Sequence, residues 1–340
     1  MEKILTISIA AYNVENFIEK TLNSLIIKEI EKLEIIVVND GSKDKTKEIV
    51  EKYVEKYPKS IKLINKENGG YGSTINTSIK LATGKYFKQL DGDDWYNAEN
   101  LELLVKKLED IDIDIIYTPM VTVYTDLNKE KEEREFFEKI LKIYDSKKIF
   151  SLKEVIGLAT ERIGMHLLAY KTKMLKENNV KCLEKCFYTD TEYALYPFLY
   201  SKNIFLFEKP IYYYRLGREG QSVSVEGLRK NYRDIMKVLD TIIARYSEER
   251  LEYEIKNYCD KLIVSVINFL LRALIVLPAS KENFEIISKE IKKLEKNYNF
   301  FYQITLKNRG RLSKIFYSNF SKNYLYYRIL KLIFDRKNKI

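Results

Sequence analysis

One histidine, one tryptophan, three cysteines and five prolines are spread over 340 residues. Each scarcity excludes something. His166 is the only imidazole, and Cys182, Cys186 and Cys259 are the only thiols. A structural zinc site needs four ligands and would consume every one of them, so that class is set aside. An odd, sparse set of thiols in a long chain also argues against a disulfide framework and fits a reducing cytosol. Twelve glycines and five prolines exclude collagen-like and loop-dominated folds. Glu2 and Lys3 lead straight into a strand pattern at Thr6–Ala11, which is not how a secretory leader begins. The most apolar run, Leu262–Leu277, is broken by Asn268 and Arg272 and falls short of the roughly 20 residues a spanning helix needs. It reads as a buried helix, and the chain as cytoplasmic and soluble or peripheral.

What is present is apolar and charged matter in quantity: 46% hydrophobic and 32% charged residues, enough for a sizeable core and against intrinsic disorder. The length allows one large domain or two medium ones, at roughly 100–200 residues each. The net charge of +10 is concentrated at one end. Between Phe300 and Ile340 stand ten Lys and Arg against the single acid Asp335, so the tail carries +9 of it and the body is nearly neutral.

The first 120 residues alternate strand and helix signals. Strand patterns at Thr6–Ala11, Glu34–Asn39, Ile61–Ile64, Tyr86–Leu90 and Asp114–Thr118 are separated by helical spacing at Glu15–Leu25, after Asp44, at Gly72–Ala82 and at Asn97–Leu108. Glu34–Asn39 is near-continuously aliphatic, as in a strand buried on both faces. This alternation predicts an α/β fold with a mostly parallel, doubly wound sheet flanked by helices. Residues 125–149 are highly charged and read as a solvated excursion around that sheet. Glu154–Leu175 reads as helix, with a short strand near Ala169–Tyr170. After Gly227 long helical patterns take over at Leu228–Tyr246, Glu249–Leu277 and Glu282–Asn297. The expected division is therefore 1–220 for the α/β domain and 221–340 for an all-helical C-terminal extension.

In an open parallel sheet, ligands bind beyond the carboxyl ends of the strands. The strand ends here carry Ala11-Tyr12-Asn13, Asn39-Asp40-Gly41-Ser42, Asn68-Gly69-Gly70 and Asp91-Gly92-Asp93-Asp94. Three carboxylates within four residues repel one another unless a cation or donors compensate. Oxygen-only ligands of this kind suit Mg²⁺ or Mn²⁺, which keep sites for phosphate oxygens. The alternative is a solvated acidic turn with Asp94 capping the next helix. The Gly69-Gly70 turn runs into a helix start, which favours anions. Neither a P-loop nor a G-x-G-x-x-G fingerprint is present, which counts against an ordinary ATPase and a dinucleotide dehydrogenase.

The series AAYN (Ala10–Asn13), VNDGSKDKT (Val38–Thr46), ENGGYGSTINTSIKLATGKYF (Glu67–Phe87) and LDGDDW (Leu90–Trp95) resembles glycosyltransferase family 2 over about the first 110 residues. The resemblance implies a GT-A, Rossmann-like fold and an enzyme that takes a sugar from a nucleotide-sugar donor with inversion. Ala10 departs from a customary proline, and Asn39 from a frequent second aspartate. By position, Ala11, Tyr12 and Asn13 would line the nucleotide, Asp40 would bond uracil and Gly70 would lie beside the nucleotide. Asp91 would stand near ribose and metal, and Asp93 would ligate Mn²⁺ or Mg²⁺ directly.

The resemblance also implies a general base in FYTDTEY (Phe187–Tyr193): Asp190, with Thr189 in place of a customary acid and Glu192 as the fallback. The other reading of Asp190 is a helix N-cap. Arg215 and Arg218 of YYYRLGR resemble a segment over the donor and would meet phosphate or acceptor; an ordinary polar loop is the alternative. His166 lies where the family often places acceptor contacts, although a lone histidine is often structural. Trp95 would pack under the site or stack on a sugar.

The expected donor is a UDP-sugar, and the expected acceptor a glycan or lipid-linked hydroxyl. A composition rich in Lys, Ile and Asn fits an AT-rich bacterial genome and so surface polysaccharide assembly. The basic, aromatic tail suits an anionic membrane surface, a docked helix or nucleic acid, and the first fits that chemistry best. Two other classes stand beside this one. A nucleotidyltransferase would need a Gly-rich basic loop after the first strand, which AYNVE is not. A nucleic-acid-binding protein would rest on charge alone, and the near-neutral body weakens it.

Overall fold

The computed structural model describes residues 2–124, 129–133, 135–144, 148–159, 162–217, 224–308 and 324–338. The chain divides into two compact units, Met1–Glu219 with Glu249–Tyr258, and Gly220–Glu248 with Cys259–Ile340.

The first unit opens with β1 (Leu5–Ala11), α1 (Ile18–Asn23), β2 (Leu33–Asn39), α2 (Thr46–Lys56), β3 (Ile61–Asn65), α3 (Tyr71–Leu81), β4 (Tyr86–Asp91), β5 (Trp95–Tyr96) and α4 (Ala98–Glu109). It continues through β6 (Ile115–Tyr117), β7 (Met120–Tyr124), β8 (Lys129–Glu133), α5 (Glu135–Tyr144), β9 (Ile149–Ser151) and α6 (Leu152–Ile156). Then come β10 (Leu168–Lys171), α7 (Thr172–Glu177), α8 (Asp190–Leu195), β11 (Asn203–Leu206) and β12 (Tyr212–Leu216). Eight strands form one sheet in the order β3-β2-β1-β4-β10-β6-β11-β9. β3, β2, β1 and β4 are mutually parallel, and β6 and β11 are parallel to each other.

Burial explains the arrangement. Every residue of β2 is buried, as a near-continuous aliphatic strand must be when helices cover both faces. Ile35 and Val37 join one core with Leu22 of α1, Val50 of α2 and Leu101, Leu104 and Leu108 of α4. Helix α3 packs against β1 and β2. Burial stabilises by about 25 cal/mol per Å² of apolar surface removed from water, which makes this layer the main source of stability.

Three expectations are corrected. The helix expected over Glu154–Leu175 is broken: α6 ends at Ile156 and α7 starts at Thr172. The short strand expected near Ala169–Tyr170 is there, as the central strand Leu168–Lys171, antiparallel to both β4 and β6, whose backbone groups would otherwise be unpaired. The charged excursion contains β8, which pairs antiparallel with β7 at the edge of a second, four-stranded sheet, β5-β12-β7-β8. Its Lys and Glu side chains suit an edge strand that must not recruit another chain. Finally, α2 starts at Thr46 behind Lys45 rather than on Asp44. Asp44 instead accepts from Thr46 N (3.0 Å) and Glu15 N (3.0 Å), tying the loop after β1 to the loop after β2.

In the second unit, α9 (Val225–Glu248), the part of α10 (Tyr253–Ile275) from Cys259 onward, α11 (Lys281–Asn297) and α12 (Asn299–Lys307) precede a last helix, Tyr324–Asn338. Ser280 caps α11 by accepting from Asn283 N at 3.0 Å. The apolar run of α10 is buried protein core, and no helix among the described residues is long and apolar enough to cross a membrane.

Glu34 on β2 is a buried carboxylate whose protonation the fold resists. Burial pushes its pKa up, but Lys62 at 2.8 Å and donors from Thr83 and Thr6 outweigh that and hold it at about 2, against 4.5 ordinarily. A depressed acid contributes stability above its unfolded pKa and loses it as pH falls towards the folded one. Because Lys62 is half exposed, about 2 kcal/mol is the expected scale. Urea unfolding at pH 7 and pH 3 should therefore show Glu34→Gln less stable than wild type, with the gap narrowing at the lower pH. An unchanged gap would remove Glu34 from this account.

Candidate active site

The carboxyl ends of β1, β2 and β4 and the start of α3 meet along one edge of the sheet. Ala10 pairs with Val38 on one side and with Asp91 on the other, so the three strands end level. The loop after β1 is held from below. Asn13 (φ 51°) donates its N–H to Ser42 Oγ at 3.0 Å and accepts from Lys43 N at 2.8 Å. Val14 N donates to Thr46 Oγ1 at 2.9 Å. Ala11 is buried, while Tyr12 stands 52% exposed above it. Ala11, Tyr12, Asn13 and Asp40 are thus brought together.

Asp40 is buried, and most of its carboxylate is used by the protein. Oδ1 accepts from Lys66 Nζ (2.8 Å) and Gly69 N (2.9 Å), and Oδ2 from Gly70 N (2.8 Å). This one side chain therefore sets the Gly-rich turn and aims it at the α3 N-terminus. Gly70 occupies that cap position with φ 80°, a conformation costly for any residue with a Cβ. The turn is roofed by residues 182–188, where Lys185 N donates to Gly69 O at 2.5 Å and Asn76 exchanges two bonds with the Cys182 backbone. Lys185 (φ 51°) and Tyr188 (φ 65°) both lie in the left-handed region, a concentration of backbone strain that is common beside functional sites. Cys182 and Cys186 are buried in this segment.

The acidic turn after β4 is not a solvated loop. Asp94 is buried and does not cap α4; Asn97 does, by accepting from Asn100 N at 2.9 Å. Asp94 instead accepts from Tyr212 OH (2.7 Å) and Arg215 N (2.7 Å) on β12. Burial, then the charges of Asp91 and Asp93, push the Asp94 carboxyl well above its ordinary pKa, against the pull of those two donors. Asp91 accepts from Tyr71 OH at 2.6 Å, and its Oδ2 lies 3.8 Å from Nε2 of His166. The imidazole sits between the rings of Tyr212 (4.8 Å) and Tyr214 (4.5 Å). Ligand atoms of Asp91, Asp94 and His166 fall within 4.8 Å of one another.

Carboxylate oxygens plus one imidazole suit Mn²⁺ or Mg²⁺, and the mutual repulsion that lifts Asp94 is what a divalent cation would relieve, so the residues fit such an ion. Asp93 stands beside the cluster, its backbone carbonyl accepting from Arg215 Nε at 3.0 Å. Arg215 also lies over Phe17 and Trp95, each at 4.9 Å. The Trp95 indole stacks on Tyr213, with Lys20 Nζ 3.2 Å from its centroid, so it packs as part of the wall. Arg218 lies outside the described residues.

Asp190 opens α8 without capping it: the cap position belongs to Thr189, and the Asp190 carboxylate points to Arg162, whose Nη2 donates to Oδ2 at 3.0 Å. Arg162 Nη1 donates to Thr191 Oγ1 at 2.8 Å, which fixes the guanidinium. The charges of Asp190 and Asp91 both help to push the hydroxyls of Tyr71 and Tyr214 up, after burial, which is the larger cause. Glu192 is buried and accepts from Leu183 N and Tyr196 OH, so it serves the fold. Tyr71 stands in the run GGYG and Tyr212 opens YYYRLGR without either tyrosine being singled out there, and Arg162 carries no motif.

Residues 6–169 match the sequence model of the family described as Glycosyl transferase family 2. Over those residues, just under half of its length, the chain is similar to glycosyltransferase family 2. EpsJ of Bacillus subtilis, described as an uncharacterized glycosyltransferase, is 38% identical over 116 residues, covering 34% of this chain and 33% of EpsJ. Glycosyltransferase GlyA of Streptococcus pneumoniae is 35% identical over 152 residues, covering 43% of this chain and 21% of GlyA. The chain thus spans a third or less of the length of these relatives. Among solved structures, S. aureus TarS 1–349 in complex with UDP-GlcNAc superposes with a TM-score of 0.67 at 19% identity, over 98% of this chain and 92% of that one. The mannosyltransferase PcManGT of Pyrobaculum calidifontis, in complex with GDP-Man and Mn²⁺, gives 0.55 at 15% identity, over 90% and 84%. At such identities the likeness is one of fold, and that fold is GT-A.

The tightest packing of the site is at Gly72, where a Cβ would lie 2.0 Å from Leu183 O and 3.0 Å from Cys182 Cβ. The Gly72→Ala variant should lose about 3 kcal/mol in urea unfolding, because backbone rather than a flexible side chain must move. A loss under about 0.5 kcal/mol would mean that the 182–188 roof is not held as described.

Proposed function

We propose that this protein is a metal-dependent, inverting glycosyltransferase that moves a sugar from a UDP-sugar to a hydroxyl of a glycan or lipid-linked acceptor, in surface polysaccharide synthesis. The observation that carries the reading is the Asp91, Asp94 and His166 cluster at the carboxyl end of β4, within the residues that match the family 2 model. TarS 1–349 in complex with UDP-GlcNAc supports a uridine donor, and PcManGT with Mn²⁺ supports the ion.

In this reading the nucleotide lies against Ala11, Tyr12 and Asn13, and its diphosphate is directed to the acidic turn. Asp40 Oδ2, which accepts one bond from Gly70 N, has a second lone pair for the uracil N3–H. Gly70 borders the nucleotide because its backbone allows close approach. Asp91 and Asp93 would hold the metal together with Asp94 and His166, whose ligand atoms cluster with those of Asp91. A bound Mn²⁺ or Mg²⁺ supplies Lewis-acid stabilisation of the diphosphate leaving group. Asp190 is the base: Arg162 engages Oδ2, and Oδ1 accepts the acceptor hydroxyl's proton as that oxygen attacks C1 opposite the diphosphate. The hydroxyl becomes acidic only as the new bond forms, so an ordinary carboxylate suffices. Arg215 adds positive charge beside Asp93. Residues 1–220 carry this chemistry, and 221–340 form the helical extension.

Calorimetric titration of UDP, GDP and TDP with and without Mn²⁺ tests the donor. The expected result is metal-dependent binding of UDP that fails in Asp93→Asn. With donor and acceptor in hand, Asp190→Asn should lower kcat about 10²–10⁴-fold with UDP binding retained. No nucleotide binding under any metal would overturn the whole reading, and full activity of Asp190→Asn would remove the base.

The extension supports a place for the enzyme. In the last helix Tyr327 is buried against Phe284 of α11 (rings 5.5 Å apart) and Lys331 is buried with Asp335 as its partner. Leu325 (64% exposed), Ile329 (50%) and Leu332 (55%) form an outward stripe at spacings of four and three, beside the exposed Arg328. An apolar stripe on a segment of charge +9 fits the inner, anionic face of a cell membrane. The full chain should sediment with phosphatidylglycerol vesicles and not with phosphatidylcholine, and the Leu325→Ser, Ile329→Ser, Leu332→Ser triple variant should stay in the supernatant. Equal sedimentation of the triple variant would refute the stripe's role.

A further inference from the structure

Lys88 lies in the middle of β4 and is fully buried. Its ammonium donates to three oxygens: His166 O at 2.8 Å, Leu168 O at 3.1 Å and Thr118 Oγ1 at 3.2 Å. All three are uncharged, and among the described residues no carboxylate pairs with it. Burial alone pushes the ammonium down to about 7. Taking such a group out of water is expensive, and an apolar residue of similar size is often the more stable choice. Fold stability is therefore a poor account of a lysine at this position.

Its partners give a better one. They are the turn Met165–Leu167, the first residue of β10, and the residue just after β6. Ala169 is the residue paired with Lys88 across the β4–β10 ladder, so the side chain reaches back from that point to the turn. That turn carries the imidazole that stands 3.8 Å from Asp91. It is only three residues long and is otherwise tied by Leu167 N to Gly164 O and by Thr118 N to Leu167 O. The carbonyl of His166 itself is thus held by the buried ammonium.

We propose that Lys88 is a positioning residue for the metal centre, holding the 165–167 turn so that His166 stays in register with Asp91 and Asp94. The proposal rests on the metal site described above. Groups that orient a ligand typically alter metal affinity about 10–100-fold when removed.

The test is a double-mutant cycle on Mn²⁺ affinity, measured by electron paramagnetic resonance with and without UDP. Lys88→Met should weaken Mn²⁺ binding about 10-fold, His166→Ala at least as much, and the double variant no more than His166→Ala alone. His166 is the sole histidine, so its imidazole ¹⁵N signals need no assignment. They should shift in Lys88→Met and broaden on Mn²⁺ addition in wild type. Should Lys88→Met fail to fold, Thr118→Val removes one anchor and should give a smaller loss in the same direction. A folded Lys88→Met with wild-type Mn²⁺ affinity, losses that simply add in the double variant, or an unaffected Thr118→Val beside an unfolded Lys88→Met would each overturn the proposal. Unchanged affinity in His166→Ala would overturn it together with the metal-site reading, which separates the two failures.

Discussion

Repulsion among Asp91, Asp93 and Asp94 at the end of β4 is the constraint around which the first unit is organised. Three carboxylates in four residues, one of them buried, cannot persist without donors or cations. The fold recruits them from far along the chain. Tyr71 comes from the start of α3, and Tyr212 and the Arg215 backbone from β12, while the turn before β10 brings the His166 ring to 3.8 Å from Asp91. They arrive on three different elements, so the acidic turn is also where those elements are fastened together. The second sheet is the clearest consequence: β12 runs beside β5 and β7 and delivers both Tyr212 and Arg215 to Asp94.

A second carboxylate does similar work at the end of β2. Asp40 takes up the N–H groups of Gly69 and Gly70 and the Lys66 ammonium, which orients the glycine turn at the head of α3. The roof over that turn, residues 182–188, bears the two strained residues Lys185 and Tyr188 and leads within two residues to Asp190. The glycine turn and the proposed base are therefore connected by one short, tightly packed segment. Strain of about 1–3 kcal/mol per left-handed residue persists only because the surrounding bonds over-determine it.

Much of this was readable in advance, because strand–helix alternation, near-continuous aliphatic strands and polar strand ends are all local in sequence. β1 to β4 and α2 to α4 lie within a few residues of where periodicity puts them. The turn residues Asn13, Asp40, Gly70 and Asp91 gather at one edge because parallel strands must end there. β10 was readable as a short strand near Ala169–Tyr170, but its place between β4 and β6, antiparallel to both, was not. β8 was hidden in a charged run, whose composition is that of a solvated loop and equally that of a guarded edge.

The same division runs through the site. Residue type and short spacing were enough to identify a carboxylate cluster and a glycine turn, since each is a chemical requirement met within a few residues, while Asp190 was singled out by the family resemblance. What each carboxylate bonds depended on partners that local spacing cannot reach. Asp94 is held by Tyr212, 118 residues away, rather than by the helix it precedes. Asp190 is engaged by Arg162, 28 residues before it, instead of capping α8. Lys88 looked like one more strand residue until β6, β10 and the His166 turn closed around its ammonium. Hydrogen bonds and charges act over a few ångströms of space, whatever the distance along the chain, and only the folded sheet brings these groups that close.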